Sequence, residues 1–179
     1  VPSAPRARVV AAARARLGGP FRGDCSAFVL RAFRDADLSI TLPTARTGSE
    51  ALYRAGRAVR APRPGDLAFF HDTYDRNRDR KRNDRFTHVA IVEEVEGSSI
   101  VLVHRGAKGV RRLRMDLANR SDPGANDPLR FRRRGDAPGT RYLAGELFAA
   151  FGELLGEDVT QTLQASRGSA SESHHPAPR

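Results

Sequence analysis

The sequence predicts an α+β fold, with N-terminal helices carrying a candidate nucleophile packed on an antiparallel β-sheet that carries two histidines. Three observations predict it. Helical spacing of apolar residues is concentrated in the first third of the chain, in Arg8–Leu17, Cys25–Asp35 and Thr47–Ala55. Short apolar runs of strand length follow at Leu67–His71, Thr87–Val92 and Ser99–His104. The single cysteine, Cys25, opens one of the helices.

Val1 to Arg6 reads as a leader, with residues 1–7 as linker and residues 8–156 as one domain. The first helix, Arg8 to Leu17, stops at Gly18-Gly19-Pro20. Asp24 has the chemistry of an N-cap for the second, whose Phe28, Val29, Ala32 and Phe33 fall on one side. Cys25 then lies in the first turn, where unpaired N–H groups and the helix dipole favour thiolate. Leu42-Pro43-Thr44 closes a loop, and Thr47 can cap the third helix. Pro62, Pro64 and Gly65 turn the chain into the strand Leu67–His71.

A polar loop runs from Asp72 to the strand at Thr87. Asp75, Asn77 and Asp79, followed by Asn83 and Asp84, set oxygen side chains at the alternate spacing of a calcium loop. Arg80 stands where such a loop needs Gly, and the other reading is a solvated charged loop. Next comes a hairpin. With Val95-Glu96-Gly97 as a three-residue loop and Gly97 left-handed, Val92 faces Ile100, Ala90 faces Leu102 and His88 faces His104. The two imidazoles would then be neighbours, one a base toward Cys25 and the other its orienting partner. A slip of one residue would send them to opposite faces. A further strand is expected near Val110–Met115 and a loop at Ser121–Asn126. Leu143, Leu147, Phe148, Phe151 and Leu155 predict a helix within Gly139–Leu155. From Ser166 onward the Ser, Pro and His content predicts disorder, within a tail of residues 157–179. His174-His175 there is a weak metal signal.

These residues carry a family resemblance. Asp24-Cys25-Ser26-Ala27-Phe28-Val29 resembles the Asp-Cys-Ser-Gly-Phe-Val signature of the NlpC family of papain-like cell-wall cysteine peptidases. Arg63-Pro64-Gly65-Asp66-Leu67-Ala68-Phe69-Phe70 resembles its Pro-Gly-Asp-Leu-Val-Phe-Phe element. His88-Val89-Ala90-Ile91-Val92 resembles its His-Val-Gly-Ile segment, and Val103-His104 its later Ile-His. His88 to Val95 is also similar to the related CHAP amidases, which usually carry a carboxylate or amide as third group. Ala27 replaces the family's Gly, and Phe21 stands where the family often has Tyr.

The resemblance implies a papain-like fold and amide hydrolysis in peptidoglycan, typically between D-glutamate and a diamino acid. Cys25 would attack, His88 would be the base and His104 its orienting partner. Asp24, Ser26 and Phe21 would line the substrate, with helix capping as the other role for Asp24 and Ser26. The same fold also serves CHAP-like amidases and acyltransferases, and a basic wall-binding module with a vestigial Cys25 is the alternative outside enzymes. The resemblance implies no obligatory cofactor, calcium at the 75–79 loop being the one candidate, and an extracytoplasmic location.

The net charge of +10 implies attraction to polyanions, such as anionic cell-envelope polymers, acidic membranes or nucleic acid, with a codon bias toward arginine as the other reading. With no Trp and 7% aromatic residues, mostly in apolar positions, the stacking surface of a nucleic-acid binder is missing. No apolar run approaches a membrane span.

Overall fold

The computed structural model describes residues 3–156. The expectations for the tail, His174 and His175 included, lie outside the described residues. Six antiparallel strands form one sheet in the order β1-β6-β2-β3-β4-β5. They are β1 (Arg57–Val59), β2 (Leu67–Phe70), β3 (His88–Glu96), β4 (Ser99–Gly106), β5 (Gly109–Asp116) and β6 (Phe148–Glu153). The helices are α1 (Ala4–Arg14), α2 (Cys25–Asp35), α3 (Gly48–Ala55) and the single turn α4 (Ala144–Leu147). Among the described residues no helix is long and apolar enough to cross a membrane.

Strand alternation divides the core between the two faces of the sheet. Phe69, Val89, Ile91 and Val103 pack with Val9 of α1 and Phe28, Val29 and Phe33 of α2. Phe70, Ala90, Val92, Leu102 and Leu113 turn the other way, onto Leu147 and Phe151. β2 is buried at all four positions, as a central strand covered on both faces must be.

The first helix departs from expectation. Pro5, whose fixed φ suits a first turn, lets α1 begin at Ala4, within the expected leader. Arg6 is 3% exposed, and its guanidinium meets Asp66 at 2.5 Å and Glu153 at 3.2 Å.

The expected C-terminal helix is mostly strand. Only Ala144–Leu147 is helical, and Phe148–Glu153 forms β6, filling the slot between β1 and β2. A register shift opposite Phe69/Phe70 lets Phe148 and Phe151 pack in one cluster, with ring centroids 4.5 Å apart, while Leu155 joins the other. The apolar spacing that resembles a helical stripe is a bulged strand serving two faces.

The β3–β4 hairpin also differs. Its turn is the two residues Gly97-Ser98, with Gly97 at φ +61°, and Glu96 pairs with Ser99. That turn alone would set His104 across from Ile91, on the face away from His88. A bulge at Glu93 corrects the parity, because Glu94 pairs with Val101 but Val92 pairs with Leu102. The Glu93 carboxylate is buried and accepts bonds from Arg14 of α1 and Arg112 of β5, which pin the bulge. These guanidinium bonds hold its carboxyl below the usual range.

Candidate active site

Asp24 caps α2 by accepting the Ala27 N–H at 2.9 Å, which places Cys25 as the first helical residue. The segment before it is tied to β5: Gly18 N–H donates to Val110 O, and Val110 N–H donates to Gly19 O. Gly109 permits this approach, since a Cβ there would lie 2.6 Å from Gly19 O. Cys25 is 9% exposed, and its Sγ lies 3.6 Å from the hydroxyl of Ser49 on α3.

His88 opens β3, with Thr87 N–H bonded to Phe70 O just before it. Continuing the Ile91–Val103 register by one step sets His104 beside Ala90, two residues along the same face from His88. The rings stand edge to face, and His88 Nε2 lies 2.8 Å from His104 Nδ1. The expected direct pairing is thus a diagonal one, yet it brings the imidazoles into hydrogen-bond contact. Cys25, His88 and His104 all line one cleft of about 500 Å³, together with Asp24, Tyr74 and Arg105.

Burial sets the resting charges. It pushes the Cys25 thiol up, against hydrogen bonds from Ser49 and the backbone of Val89 and Ser26 that favour thiolate. Desolvation of the sulfur thus opposes the thiolate that the helix start is expected to favour. Burial likewise lowers His88, further lowered by His104. His104 is brought down to about 4 by burial, against the pull of the Asp127 carboxylate. Burial therefore favours the uncharged form of all three groups, a thiol and two neutral imidazoles.

The other expected site residues are placed differently. Ser26 is 7% exposed, donates its hydroxyl to Asp24 at 2.7 Å, and is covered by Gly48, where a Cβ would fall 2.0 Å from Ser26 Oγ. Phe21 packs edge-on against Phe28 at 5.6 Å and joins the core. Asp24 borders the cleft, with both its side-chain bonds on Oδ1.

In the 72–87 loop, Asp75 accepts the N–H groups of Asp79 and Arg80, and Asn77 Oδ1 also accepts that of Asp79. Asp79 accepts the Lys81 N–H and the amides of Asn77 and Asn83. The oxygens close the loop's own turns, and among the described residues no three His, Cys, Asp or Glu side chains gather as a metal site.

Two cleft residues, Tyr74 and Arg105, and the buried Ser49 behind Cys25 escaped sequence reasoning. Ser49 reaches Cys25 from a helix whose pattern marks only its packing face. Tyr74, 46% exposed, comes from the charged loop, and Arg105 follows His104 in β4. None has a local sequence signature.

A family model for the CHAP domain matches residues 15–106, which include Cys25, both histidines and Arg105. Among curated proteins none matches the chain. The CHAP match supports the wider superfamily of CHAP and NlpC-like peptidases, whose α+β arrangement agrees with the helices and antiparallel sheet seen here. CHAP domains are typically hydrolases acting on peptidoglycan. The match covers just over half of the chain, and the chain belongs to the CHAP domain family.

Proposed function

We propose that this chain is a cysteine hydrolase that cleaves amide bonds in the stem peptides of peptidoglycan, through Cys25, His88 and His104. The observation that carries the reading is the 2.8 Å contact between His88 Nε2 and His104 Nδ1 in the cleft that Cys25 borders. If His88 donates through Nε2–H, His104 Nδ1 must be an unprotonated acceptor, and His88 Nδ1 keeps its lone pair for a proton. Cys25 gives its proton to that nitrogen as Sγ bonds to the substrate carbonyl carbon. The Cys25 N–H, an orphan donor at the helix start, faces the developing oxyanion. When the tetrahedral adduct collapses, the C–N bond breaks and His88 returns the proton to the leaving amine. Water, deprotonated by His88, then releases the acyl group from sulfur.

A neutral resting pair suits this sequence, because the thiolate and the imidazolium arise together, each stabilising the other. The bond cleaved is taken to be the D-glutamyl–diamino acid linkage, and the site of action the cell envelope. The reaction as read here draws on no bound cofactor, and the basic surface favours anionic envelope polymers.

Digestion of purified peptidoglycan tests the reading. The wild type is expected to release new amino termini, and Cys25→Ala to lower the rate by about 10³-fold or more with the fold retained. Absence of release by the wild type, or equal release by Cys25→Ala, would overturn it.

A further inference from the structure

Arg105 carries a buried donor that the protein leaves unused. Its Nη1 donates to Gly106 O at 2.8 Å, which fixes the plane of the guanidinium. Its Nε is buried and has no hydrogen-bond partner. Nη2 makes no hydrogen bond and Arg105 no ion pair among the described residues. Buried N–H groups are nearly always paired, so an orphan on a positive group inside a cleft points to a partner from outside. Nε–H and Nη2–H project in parallel from one edge of the guanidinium, the edge that grips two oxygens of a carboxylate side by side.

The surroundings agree in sign. Lys108 and Arg111 border the same cleft without an ion pair among the described residues. Of the cleft's two acids, Asp127 is taken by Arg114 at 2.8 Å and Asp24 caps α2. Arg112 is tied to Glu93, so the uncompensated cations are Arg105, Lys108 and Arg111.

We propose that Arg105 is a specificity-determining residue that binds, through Nε and Nη2, a free carboxylate on the substrate residue next to the scissile amide. This rests on the hydrolase reading of the same cleft. Lys108 and Arg111 at the mouth raise the local concentration of such an anion, and Arg105 selects it. A substrate whose carboxylate is amidated presents an NH₂ to one of the two donors and is rejected.

Matched stem peptides, identical except for a free carboxylate or a carboxamide on the residue that supplies the scissile carbonyl, provide the test. The wild type is expected to favour the carboxylate by about tenfold or more in kcat/KM, chiefly through KM. In Arg105→Gln that ratio should fall to near one, and Arg105→Lys, charged but without the fork, should keep only part of it. The same comparison by calorimetry, on Cys25→Ala with and without Arg105→Gln, reads the preference as binding. It therefore decides the question even if the wild type cleaves neither peptide, a result that would count against the hydrolase reading instead. Equal treatment of the two peptides by Arg105-containing protein, or an equal loss on both in Arg105→Gln, would overturn the proposal.

Discussion

At one end of the β2–β3 pair, Asp66 and Glu153 are buried against Arg6, with Arg57 and Arg63 reaching Glu153 from the rim. At the other end, where Phe70 pairs with His88, the buried polar groups are two imidazoles, and Cys25 lines the same cleft. The first cluster matches opposite charges and satisfies its donors: Arg6 also bonds Leu155 O, and Asp66 accepts the Arg63 N–H. It ties α1, β2 and β6 together and leaves little to react. The second holds neutral groups whose charged forms are disfavoured by burial, with a weak nucleophile and an orphan guanidinium nearby. One end is arranged for permanence, and under the proposed mechanism the other gains charge only with substrate. The difference lies in the compensation of the buried groups rather than in their depth.

The sharpest way to break this contrast is Asp66→Ala. It strands the Arg6 guanidinium with only Glu153 and a carbonyl, and loss of a buried partner costs about 3–5 kcal/mol. Denaturant unfolding should show that loss, while the hydrolysis rate per folded molecule stays close to the wild type. A selective loss of activity with unchanged stability would mean that the two ends are not functionally separate.

His104→Gln probes the opposite end. The amide can still accept from His88 but holds the ring less firmly and stabilises an imidazolium less well. A drop of about 10²-fold in kcat is expected, against a change in unfolding free energy below about 1 kcal/mol near pH 7. If stability fell by several kcal/mol and kcat did not, His104 would be a packing residue only.

The reactive end was the more legible of the two in the sequence. A lone cysteine behind a capping Asp and a histidine opening an apolar strand are local patterns, and both elements form where those patterns place them. The permanent end was hidden, because Arg6 and Glu153 are 147 residues apart and nothing local marks their contact. Within the site, the nearness of His88 and His104 was foreseen on a register that does not occur. A shorter turn displaced the strands by an odd number of residues, and the bulge at Glu93 restored the common face. Sequence alternation carries no sign of that bulge, since Glu93 reads as the first polar residue after an apolar run. Ser26 and Phe21 show the converse limit: motif position drew them toward substrate, whereas hydrogen bonding to Asp24 and packing on Phe28 account for them here.

The pH dependence of stability sharpens the comparison further, with a smaller effect. His104 is lowered in the folded protein to about 4, whereas in the unfolded chain it titrates near the ordinary value of about 6.5. Between those values the unfolded state binds more protons, so stability rises with pH through this window. The contribution of the buried neutral imidazole is fully present above about pH 6.5 and is lost as pH falls toward 4. A full proton's difference is worth about 1.4 kcal/mol per pH unit and the unfolded histidine is only half protonated at pH 6.5, so His104 should withdraw about 1.5 kcal/mol between pH 6.5 and pH 5. His104→Gln removes that titration. Its stability should therefore fall less steeply over the same range, and the two curves should converge in acid. Glu153, whose carboxyl burial pushes up but Arg57, Arg63 and Arg6 bring below the usual range, acts in the same direction but is common to both proteins, so the difference between the curves isolates the histidine end. Parallel curves for wild type and His104→Gln would mean that His104 titrates as an exposed imidazole, and the contrast between a charged, compensated end and a neutral, poised one would fail.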